Sequence, residues 1–146
     1  MQHKLLHENS GQRTFAVALD TGDEVVAHLK LFIERERIGA ASFTAIGAFS
    51  DVELDYFDWE KKEYRKIPVK EQVEVASMIG DVAEGPDGKA ALHAHLVIGR
   101  SDGSAMAGHL GKAHVRPTLE VIVTESPAHL RKKIDKVSGL ALLRMT

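Results

Sequence analysis

The sequence contains no cysteine, and this absence excludes several kinds of chemistry. Disulfide bonds, thiol catalysis and thiolate metal sites are all ruled out, so histidine is the strong nitrogen ligand left for a metal ion. Aromatic residues are scarce at 5%, and neither sign of charge dominates, since the formal net charge is −2. The chain as a whole therefore lacks the basic footprint that is typical of nucleic-acid-binding proteins.

Long apolar runs are also missing. None approaches the length that spans a bilayer, and the amino-terminal stretch MQHKLLHENSGQRTF lacks the apolar centre of a signal peptide. We therefore expect a cytoplasmic protein with no membrane partner. No internal repeat, low-complexity tract or long linker divides the 146 residues, and this length suits one hydrophobic core. Residues 1–146 are predicted to form a single domain.

One segment, about residues 23–38, has the pattern of an amphipathic helix. Thr21 and Glu24 have the spacing of a capping box, and Gly39 is placed to end the helix in a left-handed conformation. Between them an apolar stripe recurs at helical spacing, made of Val25, Val26, Leu29, Phe32 and Ile33. Most of the chain after this helix alternates as strands do. The predicted fold class is therefore α+β, with one main helix packed on a mostly antiparallel sheet.

The carboxyl-terminal segment SPAHLRKKIDKVSGLALLRMT is ambiguous. Ser126 and Pro127 suit the first positions of a helix, and Ser138 and Gly139 then stop it, which leaves LALL as a short apolar strand. The predicted helix has apolar residues at helical spacing, namely Leu130, Ile134 and Val137. The segment is also the most basic part of the chain, with Arg131, Lys132, Lys133 and Lys136. Such a run is most often a solvated face.

Three histidines surround one predicted turn in the stretch LHAHLVIGRSDGSAMAGHL. His93 and His95 are two residues apart, so they share a face of a strand, and the turn then brings His109 back on the next strand. A hairpin centred on Ser101 pairs His109 with His93, and one centred on Asp102 pairs it with His95. Either register puts all three imidazoles on one face, because directly paired residues share a face.

Three neutral imidazoles on one face can hold a divalent metal ion and leave a fourth position open for water or a small ligand. Zinc is the first choice, although nickel, copper and ferrous iron also accept imidazole. The alternative is that the three residues are hydrogen-bonded polar histidines in a cavity or a subunit interface. Glu120 and Glu74 are candidates for a carboxylate behind the ligands or for a base. We identify no catalytic set of residues beyond these.

The order of these motifs resembles the PPC domain, the plant and prokaryote conserved domain, from about Leu5 to Leu143. The most specific matches are IGAFS at 46–50, the serine and glycine of SMIG, and H-x-H followed by G-H-L. Family members usually have G-G-H-L, where this chain has Ala107 in place of the first glycine. The resemblance implies an α+β fold, a homotrimer, and His93, His95 and His109 as metal-site candidates.

The resemblance does not extend to the plant members' DNA-binding parts. Those members carry AT-hooks with an Arg-Gly-Arg-Pro core, and the nearest stretch here, VRPT at 115–118, has one arginine and no glycine. The plant domain also engages transcription factors through Gly-Arg-Phe-Glu-Ile-Leu. The matching residues 71–76 read EQVEVA and share only Glu74. No nucleic-acid-binding residues are assigned, and DNA binding is expected to be weak or absent.

The leading hypothesis is a homotrimeric binding or interaction module with a three-histidine divalent metal site. Its first rival is a metal-dependent, hydrolase-like enzyme that uses a metal-bound water. Its second rival is a DNA-binding protein, which the net charge of −2 disfavours because non-specific affinity comes mainly from phosphate neutralisation.

Overall fold

The structure is a computed structural model, and it describes residues 1–145. These residues form one helix and nine strands, most of them in one antiparallel sheet. The elements in chain order are β1 (Gln2–Asn9), β2 (Gln12–Asp20), α1 (Val25–Glu36), β3 (Ala41–Asp58), β4 (Glu63–Val69), β5 (Val73–Glu84), β6 (Ala90–Gly99), β7 (Ala105–Glu125), β8 (Lys132–Ile134) and β9 (Ala141–Leu143). The α+β class predicted from the sequence is confirmed.

The main sheet has seven strands in the order β1-β2-β7-β6-β5-β3-β4. The long strand β7 also pairs with β3, so β3, β5, β6 and β7 close into a ring of hydrogen-bonded strands. The ring has an inner and an outer face, and side chains alternate between them along each strand. This closure fixes which residues share the outer face, because every pairing register in the ring constrains its neighbours.

The inner face holds the hydrophobic core. Helix α1 contributes Val25, Leu29, Phe32 and Ile33, all buried. Phe32 is fully enclosed and meets Phe15 of β2 edge to face, with ring centroids 5.3 Å apart. The predicted apolar stripe of the helix is thus the surface that packs against the sheet. No helix within residues 1–145 has the length and hydrophobicity to cross a bilayer.

Both predicted ends of the helix were wrong in detail. Glu24 is itself the N-cap, and its carboxylate accepts hydrogen bonds from the backbone N–H groups of Val26 and Ala27. The Thr21 hydroxyl instead donates to the carbonyl of Pro117 on β7 at 3.0 Å. At the other end Arg37, not Gly39, takes the left-handed conformation, with φ 55°. The amino-terminal end is decided by the contact between Thr21 and Pro117, which are distant in sequence, so local patterns do not reveal it.

The helix predicted after Ser126 is also wrong, because the tail forms a two-stranded hairpin of β8 and β9. The strand interpretation of LALL holds for Ala141–Leu143. Asp135 organises the turn, since its carboxylate accepts hydrogen bonds from the backbone N–H and hydroxyl of Ser138 at 2.9 and 2.8 Å. The hairpin is joined to the end of β5, where the backbone N–H of Glu84 donates to the Leu130 carbonyl.

Candidate metal centre

The β6–β7 hairpin brings the three histidines together. Its register pairs His95 directly with His109, which is the alternative centred on Asp102. The turn is held by the Asp102 carboxylate, which accepts hydrogen bonds from the backbone N–H and the hydroxyl of Ser104. No bulge interrupts the pairing between His95 and Gly99, so the imidazoles of His93, His95 and His109 stand on the same outer face.

The three rings converge on one point. One ring nitrogen from each lies within 4.8 Å of the others. The Nε2 atoms of His93 and His95 are 3.2 Å apart. Two nitrogens bound to one tetrahedral zinc at about 2.0–2.1 Å would be separated by about 3.3 Å. The pair of Nε2 atoms therefore already has the spacing that a shared tetrahedral ion requires.

Burial and nearby charges favour the neutral form of two of these rings, His95 and His109. Desolvation, followed by the charges of His93, His95 and Lys132, lowers the pKa of His109 to about 4. Desolvation and His93 also lower the pKa of His95. A metal ion binds only the neutral imidazole, so a lowered pKa means that no proton has to be displaced at neutral pH. The donor set fits a divalent ion in charge state as well as in geometry.

On one side, the triad is supported by Asp81. This residue pairs directly with His93 across β5 and β6, and the His93 Nδ1–H donates to its Oδ2 at 3.2 Å. The other oxygen, Oδ1, lies 2.7 Å from the Nζ of Lys132, whose side chain is only 6% exposed. A buried lysine on the hairpin thus contacts the carboxylate that orients a histidine of the triad.

Asp81 was not among the carboxylates predicted from the sequence, which were Glu120 and Glu74. Glu120 pairs with Ala18 and Ile46, and Glu74 pairs with Gly99 at the far end of β6. Within residues 1–145, neither glutamate hydrogen-bonds to a ring of the triad. A signal for Asp81 was present in the sequence: Gly-Pro-Asp-Gly at 85–88 is typical of a turn, and a hairpin centred on Asp87 pairs Asp81 with His93.

On the other side, the triad meets an aromatic ring and a second carboxyl group. The Tyr64 ring lies over His109 with centroids 5.2 Å apart. Asp55 pairs directly with His109 across β3 and β7, and its Oδ1 is buried with no hydrogen-bond partner in the described part of the chain. Burial raises the pKa of Asp55, with a further contribution from Glu53. The Nδ1 of His109 is likewise buried without a partner among the described residues.

An apolar strip adjoins the triad on the same outer face. Ile79 pairs directly with His95, and Thr44 connects Ile79 to Ile122 across β3. Thr44, Ile79 and Ile122, together with Ile46, line a surface groove of about 650 Å³. The isoleucine strip, as we call Ile46, Ile79 and Ile122, is 60%, 58% and 45% exposed at its three members. Large apolar side chains grouped on an open face are typical of an interaction surface.

Comparison with known proteins gives a consistent family. The Plants and Prokaryotes Conserved (PCC) domain matches residues 6–127. A plant- and prokaryote-conserved protein from Pyrococcus horikoshii is 31% identical, covers 99% of this chain and 96% of its own, and superposes with a TM-score of 0.85. A protein from Archaeoglobus fulgidus named as metal-containing is 32% identical over 99% of both chains, with a TM-score of 0.84.

A third solved structure, from Ralstonia eutropha JMP134, is named as a candidate DNA-binding protein. It is 27% identical, covers 98% of this chain and 96% of its own, and has a TM-score of 0.85. No protein with a curated description matches the sequence.

Proposed function

Because the chain belongs to the Plants and Prokaryotes Conserved (PCC) domain family, we propose that it is a homotrimeric binding module whose His93, His95 and His109 hold one divalent metal ion. The observation that carries the proposal is the convergence of three imidazoles, two of them with Nε2 atoms 3.2 Å apart. Zinc is the proposed ion, because an all-imidazole set without thiolate suits it. The name of the Archaeoglobus fulgidus relative supports a metal in this family.

In this proposal each residue of the site has a defined task. The Nε2 atoms of His93 and His95 and one nitrogen of His109 are the ligands, and Asp81 fixes the orientation of the His93 ring. Three protein ligands leave a fourth position at which the ion, as a Lewis acid, can bind an oxygen or nitrogen of a small molecule. Tyr64 contacts the His109 ring, so it is the aromatic side chain beside the proposed ligand residues.

The proposed trimer would cover the isoleucine strip. Covering the exposed half of each isoleucine is worth about 1 kcal/mol per side chain, since full burial contributes about 1.5–3 kcal/mol. A homo-oligomer repeats the same patch in every subunit, so these contributions recur at each interface. The number three comes from the resemblance to the family, and the strip supports association through this face.

Elemental analysis tests the metal. We expect about one zinc per chain in protein purified without a histidine tag, and loss of that zinc in a His93→Ala/His95→Ala variant that remains folded. The matched control is His28→Ala/His129→Ala, which removes two histidines outside the triad and should keep the metal. Equal metal content in the wild type and the triad variant would return these residues to the role of polar histidines on a sheet.

Light scattering tests the assembly. The wild type should have the mass of three chains at micromolar concentration. Ile122→Glu, which puts a charge in the isoleucine strip, should dissociate it. Ile134→Glu is the control, because Ile134 is more exposed than Ile122, at 57% against 45%, but lies on the hairpin strand β8. A monomeric wild type would refute the trimer and leave the metal proposal standing.

A metal-dependent hydrolytic enzyme is the second candidate, and Asp55 favours it. A buried carboxyl with a raised pKa beside a metal site is the kind of group that accepts a proton from an attacking water. A panel of activated esters, phosphate esters and amides tests this candidate. Activity that falls at least a hundredfold in Asp55→Asn, with zinc content unchanged, would support it, and inactivity of the zinc-loaded wild type on every substrate would count against it.

DNA binding is the third candidate, and the names of solved relatives favour it. Charge pairing within the tail opposes it. Of the basic run, Arg131 lies 3.5 Å from the Glu84 carboxylate and Lys132 is buried against Asp81. Few unpaired cations therefore remain there to neutralise phosphates. We propose that any DNA binding is weak, independent of sequence and confined to this tail.

A further inference from the structure

The buried lysine of the C-terminal hairpin has a role that the family comparison does not assign. We infer that Lys132 is a positioning residue for the metal centre, acting through Asp81 on the tautomer and orientation of His93. The inference rests on the proposed metal site and adds a segment to it. Lys132 lies beyond residues 6–127, the part of the chain that the family model matches.

The two carboxylate oxygens of Asp81 have different partners. Oδ2 accepts the hydrogen bond from His93 Nδ1–H at 3.2 Å, and Oδ1 contacts Lys132 Nζ at 2.7 Å. A carboxylate can only accept hydrogen bonds, so the hydrogen bond between His93 and Asp81 places the ring proton of His93 on Nδ1. The Nε2 of His93 is then the free lone pair, and it points to where the Nε2 of His95 lies.

The ammonium group of Lys132 is buried, which costs free energy. Lys132 is one of four basic residues in the segment 131–136, yet its side chain is 6% exposed while its neighbours Arg131 and Lys133 are exposed. A buried charge is costly unless it is paired. The pair with Asp81 is therefore what keeps Lys132 inside, and by the same contact Lys132 neutralises Asp81 and restricts its movement.

The hairpin that carries Lys132 is anchored to strand β5. The Glu84 N–H donates to the Leu130 carbonyl at 2.8 Å, and the backbones of Glu84 and Arg131 form an isolated parallel β-bridge. Glu84 and Asp81 belong to the same strand β5, three residues apart. The strand that pairs with His93 is thus also the strand that holds the hairpin, so the position of Lys132 relative to Asp81 is fixed at two points.

Zinc affinity measured by competition with a chromophoric chelator is the first test. Loss of such a supporting contact typically weakens metal binding 10–100-fold, and we expect a loss of this size in Lys132→Met. Lys132→Arg keeps the charge and should restore most of the affinity. Lys133→Met is the matched control, because Lys133 is exposed on the same strand, and its affinity should stay within about twofold of wild type.

The second readout needs no metal. Long-range nitrogen NMR of metal-free protein above pH 7 should show His93 with its proton on Nδ1 in the wild type and in Lys133→Met. In Asp81→Asn and Lys132→Met the proton should redistribute toward Nε2. A lysine that serves only to hold the hairpin would leave this distribution unchanged.

The outcomes separate the inference from the proposed function. A wild type that binds no zinc but shows the expected tautomer change would refute the metal site, and would leave the Lys132–Asp81–His93 coupling supported. Zinc bound by wild type and by folded Lys132→Met with equal affinity, and with an unchanged tautomer, would overturn the inference alone. If Lys132→Met does not fold, Asp81→Asn/Lys132→Met removes both charges together and is read against the same expectations.

Discussion

The metal-free protein should lose stability as the pH falls from about 6.5 to 4, and His109 should account for much of the loss. Burial and the neighbouring charges hold the pKa of His109 at about 4 in the folded protein, against 6.5 for an unperturbed histidine. Between these pH values His109 binds a proton in the unfolded chain but not in the folded chain. The contribution of His109 to stability is therefore fully present above pH 6.5 and is lost as the pH falls toward 4.

The size of this loss follows from the same values. One pKa unit corresponds to 1.36 kcal/mol, so a pKa about 2.5 below the ordinary value gives at most about 3 kcal/mol, and about 2 kcal/mol of this is lost by pH 5. This is an upper figure, since His109 is only partly buried. The lowered pKa values of Asp23 and Asp51 act at lower pH, below their ordinary 3.8, so they do not contribute in this window.

Urea unfolding of chelator-treated protein at pH 7.5, 6.5, 5.5 and 5.0, at one protein concentration, measures the effect. His109→Gln, which cannot take up a proton, is the comparison. The free energy of unfolding of the wild type should fall by about 2 kcal/mol more than that of the variant between pH 7.5 and 5.0. Parallel pH profiles for the two proteins would refute the reasoning, because they would mean that His109 titrates normally in the folded state.

Three further predictions concern the core, the sheet beside the site and the tail. Phe32→Ala should lower the free energy of unfolding by about 3–5 kcal/mol in urea titrations, because Phe32 is fully buried; a loss under 1 kcal/mol would contradict the packing. Gly80→Ala should weaken zinc binding and cost about 1–3 kcal/mol, because the added Cβ would overlap the Phe43 ring and the His93 carbonyl oxygen. Gly99→Ala, whose Cβ would lie 3.9 Å from its nearest neighbour, should change neither. Duplex DNA should bind weakly and lose affinity steeply between about 50 and 200 mM salt; sequence-specific, sub-micromolar binding at physiological salt would contradict this and favour the DNA-binding candidate.

The histidine cluster could be predicted from the sequence because its geometry is local. Strand alternation puts His93 and His95 on one face, and a short turn limits the partner of His109 to one of them. The prediction needed no knowledge of the rest of the sheet, and it tolerated the uncertainty between two registers. A bulge between His95 and Gly99 would have defeated it, and the pairing there is regular.

The ends of the helix could not be predicted because they depend on distant partners. Thr21 and Glu24 satisfy the capping-box pattern, but the carbonyl of Pro117 accepts the Thr21 hydroxyl, and Glu24 caps the helix alone. The helix predicted in the carboxyl-terminal segment was wrong for a related reason. Its apolar spacing fits a helix, but the turn at Asp135 and the docking of Leu130 on β5 favour a hairpin. Tertiary contacts outweigh a weak local preference in both places.

The residues around the triad were harder to predict in proportion to their distance along the chain. Asp81 is twelve residues from His93 and could be found from the turn at 85–88 by the same reasoning that located His109. Asp55 requires the pairing of β3 with β7, which contains three register shifts, so no count of residues places it opposite His109. Lys132 requires the position of a hairpin that the sequence did not predict. Each further strand pairing in such a prediction must be in the correct register, and a shift of one residue in any of them moves the side chain to the other face of the sheet.

The isoleucine strip and the triad share one face, so the proposed assembly and the proposed metal binding should be thermodynamically linked. Ile79 pairs directly with His95, so a subunit covering the strip would also remove water from that imidazole. Desolvation already lowers the pKa of His95, and further desolvation would favour the neutral ligand form more strongly. Linkage is reciprocal, so if assembly strengthens zinc binding, zinc must strengthen assembly by the same factor. The proposed trimer and the proposed metal site are therefore best measured together, as oligomer dissociation with and without zinc.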